Sequence, residues 1–241
     1  MNTVFLHQPG LMEYKTCWDW QEELFAKTVQ IKMSNRDKNI SDHQIPPHHL
    51  ILVEHPPVYT LGKSGKRSHI LWDDNMLQEK GISFFSINRG GDITYHGPGQ
   101  CVGYPILDLN QFYTDIHRYL RDLEEVIIRT LADFGIESGR VDGLTGVWID
   151  GSHPDKARKI CAMGIRASRW VTMHGWALNV NTNLSHFEGI IPCGIDDKAV
   201  TSMQKELGQS VSMEDVKAKL LTHFAITFGV EFYDSAKFPA T

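Results

Sequence analysis

The stretch KICAMGIRASRWVTMHGWALNV, from Lys159 to Val180, indicates the fold class. It contains three short runs of mostly apolar residues, at Lys159 to Ile165, Arg169 to His174 and Trp176 to Val180, and each is typical of a strand. A fourth run of this kind, Leu144 to Ile149, comes just before them. Because the separations are short, we expect neighbouring strands to form antiparallel hairpins.

Helical patterns lie on both sides of this region. Asp115 to Phe134 is predicted as a helix because its apolar residues recur every three or four positions, at Ile116, Leu120, Leu123, Ile127, Leu131 and Phe134. A C-terminal helix is predicted to begin at Ser212, where S-M-E-D provides a capping residue with an acid three positions later. It carries Val216, Leu220 and Phe224 before a stop at Gly229.

The N-terminal half mixes both kinds of element. We predict helices at Asp19 to Lys32, with Leu24, Val29 and Ile31 buried, and at Asp74 to Lys80, with Gly81 as the stop signal. Strands are predicted at His49 to Val53, Pro57 to Leu61 and Ser83 to Asn88, and a loop insertion at 34–47. Strands without regular βαβ alternation favour an α+β fold with a mixed, mostly antiparallel sheet flanked by helices. We expect residues 1–241 to form a single domain.

Composition narrows the class of protein. Hydrophobic residues make up 41% of the chain and charged residues 22%, which is typical of a soluble globular protein. The net charge of −5 argues against bulk nucleic-acid binding. The start MNTVFLHQPG has neither a basic leader nor an apolar core, so we expect a cytoplasmic protein without membrane association. No leftover apolar stripe suggests an interface, so we expect a monomer.

The segment RGGDITYHGPGQ, Arg89 to Gln100, lies between two strand-like runs and contains four glycines. Such a segment is longer than a turn needs, and its glycines permit the backbone to approach a ligand closely. We therefore interpret it as a loop that lines a binding site. His96 and His174 are candidates for proton transfer, with a structural hydrogen-bonding role equally open for each.

Four cysteines, Cys17, Cys101, Cys161 and Cys193, lack the C-x-x-C spacing of a structural zinc site. Cys193 stands between Pro192 and Gly194, where a turn can present amide N–H groups to an oxyanion, so it is the candidate nucleophile. A reactive thiolate needs a nearby cation, and Lys159 enters an apolar strand where it can serve as one. Cys161, two residues further on the same strand and predicted on the same face, is the alternative nucleophile.

The sequence does not match the common nucleotide-binding and metal-binding motifs. Gly62-Lys63-Ser64 resembles the end of a P-loop, but Pro57 occupies the position of the required first glycine. Gly97-Pro98-Gly99 lacks the third glycine of a dinucleotide fingerprint. His43, His48 and His49 cluster without a further ligand, so we expect no metal site.

RGGDITYHGPGQ, YPILDL (104–109), KICAMGIRASRWVTMHGWALNVN (159–181) and FEGIIPCGI (187–195) together resemble the lipoyl(octanoyl) transferase family, in the same order and over about Leu52 to Met203. The resemblance implies the fold of lipoate and biotin protein ligase catalytic domains. It implies that Cys193 is the acyl-thioester nucleophile and that Lys159 lowers its pKa and acts as a base. The acyl substrate site implied by the resemblance comprises Arg89, Gly90, Gly91, Asp92, Ile93, Thr94, Tyr95, His96, Ala162, Met163, Gly164, Gly175, Trp176 and Ala177.

The implied reaction transfers octanoyl from octanoyl-acyl carrier protein to a lysine of lipoyl domains, without ATP, metal or other cofactor. The acceptors would be the lipoyl domains of 2-oxoacid dehydrogenase E2 subunits and the glycine cleavage H protein. Three other functions stay open: an ATP-dependent lipoate or biotin protein ligase, an octanoyl amidotransferase acting between lipoyl domains, and a non-catalytic module that binds acyl chains or lipoyl domains.

Overall fold

The computed structural model describes residues 2–191 and 199–234. Two sheets account for its strands. The strands are β1 (Asn2–Leu11), β2 (His48–Glu54), β3 (Val58–Leu61), β4 (Ser83–Ser86), β5 (Ile93–His96), β6 (Gln100–Ile106), β7 (Gly139–Val141), β8 (Leu144–Ile149), β9 (Arg158–Ser168), β10 (Val171–Asn179), β11 (Ala199–Val200) and β12 (Val230–Asp234). The α-helices are α1 (Tyr14–Ser34), α2 (Asp74–Glu79), α3 (Ile116–Ala132), α4 (Met203–Leu207) and α5 (Met213–Phe228).

The main sheet has the order β12-β1-β2-β6-β10-β9-β8-β7, with β11 added along β9. Its centre is antiparallel, from β2 through β6, β10, β9 and β8 to β7. Parallel pairs occur where β1 meets β2 and β12, and where β11 meets β9. The small sheet has the order β4-β3-β5. This arrangement confirms the predicted α+β class with a mixed, mostly antiparallel sheet.

Helices cover both faces of the main sheet. Leu50 and Leu52 of β2 belong to a core shared with α3 and α5, whereas Ile51 and Val53 belong to a core shared with α1. This division follows from the alternation of side chains along a strand. Because both faces are buried, β2 has the continuous apolar sequence LILV, Leu50 to Val53, instead of a polar–apolar alternation.

Helix α1 differs from its prediction. It begins at Tyr14, and its buried face is formed by Tyr14, Cys17, Gln21, Phe25 and Thr28, at spacings of three and four. The predicted Leu24, Val29 and Ile31 are only partly buried. Leu24 and Val29 still pack against this core, but the polar residues Gln21 and Thr28 hold fully buried positions, so the apolar pattern alone did not identify the most buried face. Gln21 has a specific reason to be there, because its Oε1 accepts a hydrogen bond from the backbone N–H of His174 at 3.2 Å.

Two predictions near the glycine-rich segment also need correction. The segment itself contains a strand, β5, which pairs with β3, so it is not a loop throughout. The predicted break at Gly175 does not occur, since β10 is continuous from Val171 to Asn179. The turn before β10 is made by Arg169 and Trp170, which both have positive φ.

The ends of α2 and α5 and the 34–47 loop agree with their predictions. Helix α5 is capped by Ser212, whose Oγ accepts from the N–H of Asp215, and it ends at Gly229 in the left-handed conformation. Gly81 follows α2 with positive φ. The 34–47 loop contains a short 3-10 helix, Ile40–Asp42. In the described part of the chain, no helix is both long and apolar enough to span a membrane.

Candidate active site

A cavity of about 330 Å³ lies between the small sheet and the β9–β10 hairpin. Its lining includes Lys159 together with residues from the glycine-rich segment and from both strands of the hairpin. All residues of the predicted acyl site line it except Tyr95, namely Arg89, Gly90, Gly91, Asp92, Ile93, Thr94, His96, Ala162, Met163, Gly164, Gly175, Trp176 and Ala177. The fold therefore brings two segments that are distant in sequence, the glycine-rich segment and the β9–β10 hairpin, to one cavity.

The glycine-rich segment lies directly on β9. Gly90 donates its N–H to the carbonyl of Ile165 at 3.0 Å. A Cβ atom on Gly164 would lie 2.7 Å from the Gly90 carbonyl oxygen and 2.8 Å from Nη1 of Arg89. Glycine at 164 is thus required by the close approach of the two backbones.

Gly164→Ala is expected to lower the free energy of unfolding by about 1–3 kcal/mol, because backbone and guanidinium must move to admit the methyl group. Urea denaturation measures this change. Gly139→Ala in β7 is the matched control, since a Cβ there meets nothing within 4 Å. Equal unfolding free energies for the two variants would show that the glycine-rich segment moves to admit the methyl group at little cost. The segment would then not define the cavity wall.

Arg89 organises the segment that begins with it. The residue is 9% exposed. Its Nη1 donates to the carbonyl of Gly90 at 2.7 Å, and its Nη2 donates to the carbonyls of Asp92 at 2.8 Å and Thr60 at 3.2 Å. These bonds hold the peptide groups of the segment in a fixed geometry at the cavity wall.

Asp92 connects the glycine-rich segment, through His69, to the chain just before residue 192. Its Oδ2 lies 2.6 Å from Nδ1 of His69, and its Oδ1 accepts from the N–H of Ile93 at 2.7 Å. The carbonyl of His69 accepts from the N–H of Ile191 at 2.9 Å. Sequence reasoning missed His69, which carried no motif of its own.

Tyr95 lies on the other face of β5 from Thr94 and His96. It packs with Tyr59 and Phe187 in a separate apolar cluster, and its hydroxyl is 2.7 Å from Nδ1 of His186. Burial raises its pKa to about 12. The structure therefore places Tyr95 behind the cavity wall and not at its surface.

Lys159 lies at the open end of the β9–β10 hairpin, whereas Gly90 contacts Ile165 nearer to the hairpin turn. It pairs with Trp148 of β8 on one side and with Val200 of β11 on the other. Its Nζ lies 4.6 Å from the centre of the Trp148 ring, within range of a cation–π interaction. Lys159 lines the cavity together with Val200.

Cys161 does not share a face with Lys159, contrary to the prediction. Val147 pairs with Cys161 and Trp148 with Lys159, so β9 contains one extra residue opposite β8. This bulge lets Ile160 and Cys161 enter the same core cluster. Cys161 is fully buried, and burial raises the pKa of its thiol well above the usual range. This environment disfavours the thiolate that a nucleophile requires.

Glu124 of α3 is a buried carboxylate that sequence reasoning missed. Its oxygens accept from Arg121 Nη2 at 2.8 Å, Arg140 Nε at 3.0 Å and the N–H of Gly146 at 2.9 Å. Gly146, with φ of 111°, lies where a Cβ atom would be 2.5 Å from the Cys161 carbonyl oxygen and 3.7 Å from Cδ of Lys159. Glu124 thereby fixes the backbone that packs against the Lys159 side chain.

Both ring nitrogens of His96 have hydrogen-bonding neighbours within the protein. It is 5% exposed, its Nδ1 donates to Oε1 of Gln100 at 2.8 Å, and its Nε2 is 3.4 Å from Oγ1 of Thr60. Burial, followed by the nearby His55, lowers its pKa to about 3. A ring with this pKa stays neutral at physiological pH, which favours the structural interpretation.

Cys193 lies outside the described residues, so its position relative to Lys159 is not part of this geometry. The chain on both sides of it is described. Ile191 is hydrogen-bonded to His69 just before the segment 192–198, and Ala199, the first residue of β11, follows that segment. Val200 pairs in register with Lys159, and Thr201 donates its N–H to the Lys159 carbonyl at 3.0 Å.

The histidines of the predicted loop cluster are separated. His49 Nδ1 lies 3.0 Å from His7 Nε2, and the N–H of Asp108 donates to His48 Nδ1 at 3.2 Å. Over residues 2–191 and 199–234, no group of three or more histidine, cysteine, aspartate or glutamate residues could hold a metal ion.

Comparisons with known proteins identify the family. Residues 13–225 match the model of the lipoyl protein ligase A/B catalytic domain. An octanoyltransferase from Cytophaga hutchinsonii is 58% identical over 226 residues, which cover 94% of this chain and 93% of that protein. An octanoyltransferase from Flavobacterium psychrophilum is 56% identical and covers 94% of this chain and 97% of that protein.

A solved structure shows the same fold. It is the bipartite lipoate protein ligase of an archaeal lipoylation system, from Thermoplasma acidophilum, with a TM-score of 0.66 at 17% identity. The match covers 97% of this chain and 85% of that one. It confirms the fold that the sequence resemblance implied. The chain belongs to the lipoyl protein ligase A/B catalytic domain family, and it is an acyltransferase.

Proposed function

We propose that this enzyme transfers an octanoyl group from octanoyl-acyl carrier protein to a lysine of lipoyl domains through a thioester on Cys193. The observation that carries the proposal is the position of Lys159. It lines the same cavity as the glycine-rich segment, and it pairs in register with Val200, just beyond the segment that holds Cys193. Relatives named octanoyltransferase at 56–58% identity support the choice of acyl group.

In the first step, the Cys193 thiolate attacks the carbonyl carbon of the donor thioester. The bond between that carbon and the phosphopantetheine sulfur breaks, and the departing thiolate takes up a proton from the Lys159 ammonium, which leaves Lys159 neutral for the second step. A free thiol is mostly protonated at neutral pH, so a cation beside it raises the reactive fraction. The Lys159 ammonium has this role, and each unit by which it lowers the thiol pKa corresponds to about 1.4 kcal/mol.

In the second step, the lysine amine of a lipoyl domain attacks the Cys193 thioester. An amide forms, the carbon–sulfur bond breaks, and the nitrogen loses a proton, which neutral Lys159 accepts. Exchange of one thioester for another is nearly balanced, and conversion to an amide is downhill. The proposed reaction therefore needs no ATP, metal or other cofactor.

The cavity suits a medium-length acyl chain. Ile93, Met163 and Trp176 provide apolar surface, while the glycines leave the wall free of side chains. Burial of the chain stabilises the complex by roughly 0.8 kcal/mol for each CH₂ group removed from water. The acceptors we propose are the lipoyl domains of 2-oxoacid dehydrogenase E2 subunits and the glycine cleavage H protein.

Incubation with octanoyl-acyl carrier protein, without a lipoyl domain, tests the proposal. We expect the intact mass of the enzyme to rise by one octanoyl group and peptide mapping to place that group on Cys193. Label on Cys161 would overturn the assignment of the nucleophile. Absence of any acyl-enzyme, with transfer that depends on ATP and free octanoate, would identify a ligase instead.

The amidotransferase alternative differs only in its donor. Octanoyl-acyl carrier protein and an octanoylated lipoyl domain are therefore compared as donors at equal concentration. Faster acylation of Cys193 by the octanoylated lipoyl domain would contradict the proposed donor.

A further inference from the structure

Strand β11 replaces β10 as the neighbour of β9 at the position of Lys159. Leu178 is the last residue of β10 that pairs with β9, and beyond that point Val200 of β11 pairs with Lys159. The other edge of β9 is taken by β8, where Trp148 pairs with Lys159. Because a strand has only two edges for pairing, β11 fills the place that β10 leaves. One neighbour of Lys159 is therefore the chain that leads away from Cys193.

Strand β11 is two residues long, so bonds outside its own ladder matter for its position. The residue after it, Thr201, donates its N–H to the carbonyl of Lys159 at 3.0 Å. The carbonyl of Thr201 accepts from Nδ2 of Asn179, at the end of β10, at 2.9 Å. Thr201 is thus bonded to β9 through its N–H and to β10 through its carbonyl, and Asn179 makes the second of these connections.

Asn179 is the last side-chain amide of a buried polar network. Nδ1 of His96 donates to Oε1 of Gln100 at 2.8 Å. Nε2 of Gln100 donates to the Tyr95 carbonyl at 3.1 Å and to Oδ1 of Asn179 at 2.8 Å. Backbone carbonyls only accept hydrogen bonds, so those of Tyr95 and Thr201 each require an amide nitrogen to face them. The orientation of both side-chain amides is therefore determined, and the network runs from the glycine-rich segment to β11.

Burial makes the bond between Asn179 and Thr201 difficult to replace. Asn179 is 4% exposed and Thr201 is fully buried. If Asn179 loses its amide, the Thr201 carbonyl stays buried without this donor, which is costly because water does not easily take its place. Oγ1 of Thr201 also donates to Oε1 of Glu206, so we expect β11 to shift beside Lys159 and not to separate from it.

We propose that Asn179 is a positioning residue, which holds β11 and the chain leading from Cys193 beside Lys159. The inference rests on the proposed function, because the effect of Asn179 is exerted on the reaction assigned to Cys193 and Lys159. Asn179 lines the cavity, but its amide is bonded to Gln100 and Thr201, so it positions the backbone and takes no part in bond making. A shift of about 1 Å between reacting groups can slow a reaction about a hundredfold.

Asn179→Leu tests the inference, because leucine is similar in size but has neither donor nor acceptor. We expect kcat/KM for acyl-enzyme formation from octanoyl-acyl carrier protein, measured by intact mass, to fall about ten- to hundredfold.

Asn181→Leu is the matched control. Asn181 also donates Nδ2 to a backbone carbonyl and accepts from a backbone N–H, both of Val211, at 2.7 and 2.9 Å, but it does not line the cavity. Its kcat/KM should stay close to that of the wild type. An equal loss in the two variants would overturn the inference.

Alkylation of Cys193 by iodoacetamide at neutral pH separates positioning from general damage, since it needs no substrate and reports the thiolate fraction. We expect Asn179→Leu to slow alkylation in the otherwise wild-type enzyme and to have little further effect in Lys159→Met. A residue that acts through Lys159 has nothing left to position once the ammonium is removed. Equal fold-losses in both backgrounds, or wild-type rates of alkylation and acylation in Asn179→Leu, would contradict the role of Asn179.

Thermal unfolding checks that the variants fold. Asn179→Ser is a second variant, because serine is too short to reach Thr201 but leaves space for water, and changes in the same direction are expected of it. If neither variant folds, Asn179 is needed for the fold itself, and the inference is overturned. Failure of the wild type to form an octanoyl-enzyme contradicts the proposed function, whereas normal octanoylation that does not depend on Asn179 contradicts only this inference.

Discussion

Cys193→Ala is expected to abolish the octanoyl-enzyme and to slow octanoyl transfer by about a thousandfold or more. The proposed mechanism divides transfer into two steps that share one thioester, and alanine offers no atom that can carry the acyl group. Loss of a nucleophile in enzymes with covalent intermediates has effects of this size or larger. Transfer is measured as the mass gain of a lipoyl domain supplied with octanoyl-acyl carrier protein.

Cys161→Ala is the matched control for that variant. Its thiol lies in the apolar core and does not line the cavity, so acylation of Cys193 should continue. Retention of transfer in Cys193→Ala would mean that the acyl group passes directly to the lysine or through another intermediate, and the thioester proposal would then be abandoned.

Lys159→Met is expected to slow acyl-enzyme formation about a hundred- to thousandfold at neutral pH. The substitution keeps much of the aliphatic side chain beside Trp148 and removes the ammonium group. Stabilisation of the thiolate is lost in the first step, and the proton acceptor is lost in the second; each such contribution is typically large. We also expect the rate of alkylation of Cys193 by iodoacetamide to rise at higher pH than in the wild type, because its thiol pKa should increase.

Lys156→Met is the control, because it also replaces a lysine by methionine and removes one positive charge, but outside the cavity. Lys156 lies three residues earlier, in an exposed turn outside the cavity. It should leave both the acylation rate and the pH dependence of alkylation close to those of the wild type. If the two variants behaved alike, Lys159 would have no specific part in activating the thiol.

The sequence was informative where local chemistry determines local structure. The apolar stripe of α3, the Ser212 cap and the glycines after α2 and α5 all predicted elements found in the fold. The pairing of β1 with β12 left no such signal. These strands are separated by most of the chain, and of the first six described residues only Val4 and Leu6 are buried. Long-range pairing of this kind depends on tertiary packing, which local propensity does not record.

In the candidate site, too, some features could be predicted from the sequence and others could not. Family resemblance identified the segments that line the cavity, because their motifs are continuous in sequence. It did not show that Thr94 and His96 line the cavity whereas Tyr95 does not. The resemblance covers consecutive residues, but their side chains alternate between the two faces of a strand. Strict alternation then failed at Cys161, where a bulge that the sequence does not announce shifts the register. Glu124 was missed because one acid in an amphipathic helix resembles any solvated charge until Arg140 and Gly146 are brought to it.

The place of β1 between β2 and β12 has a consequence for synthesis of the protein on the ribosome. Strand β1 is made well before its partner at Val230–Asp234, which emerges after the other described strands. Until then, one edge of the growing sheet presents unpaired amide and carbonyl groups, which can pair with other chains. The main sheet is therefore completed only after β12 has been made, and nascent chains that stop short of Val230 retain an open, aggregation-prone edge at β1.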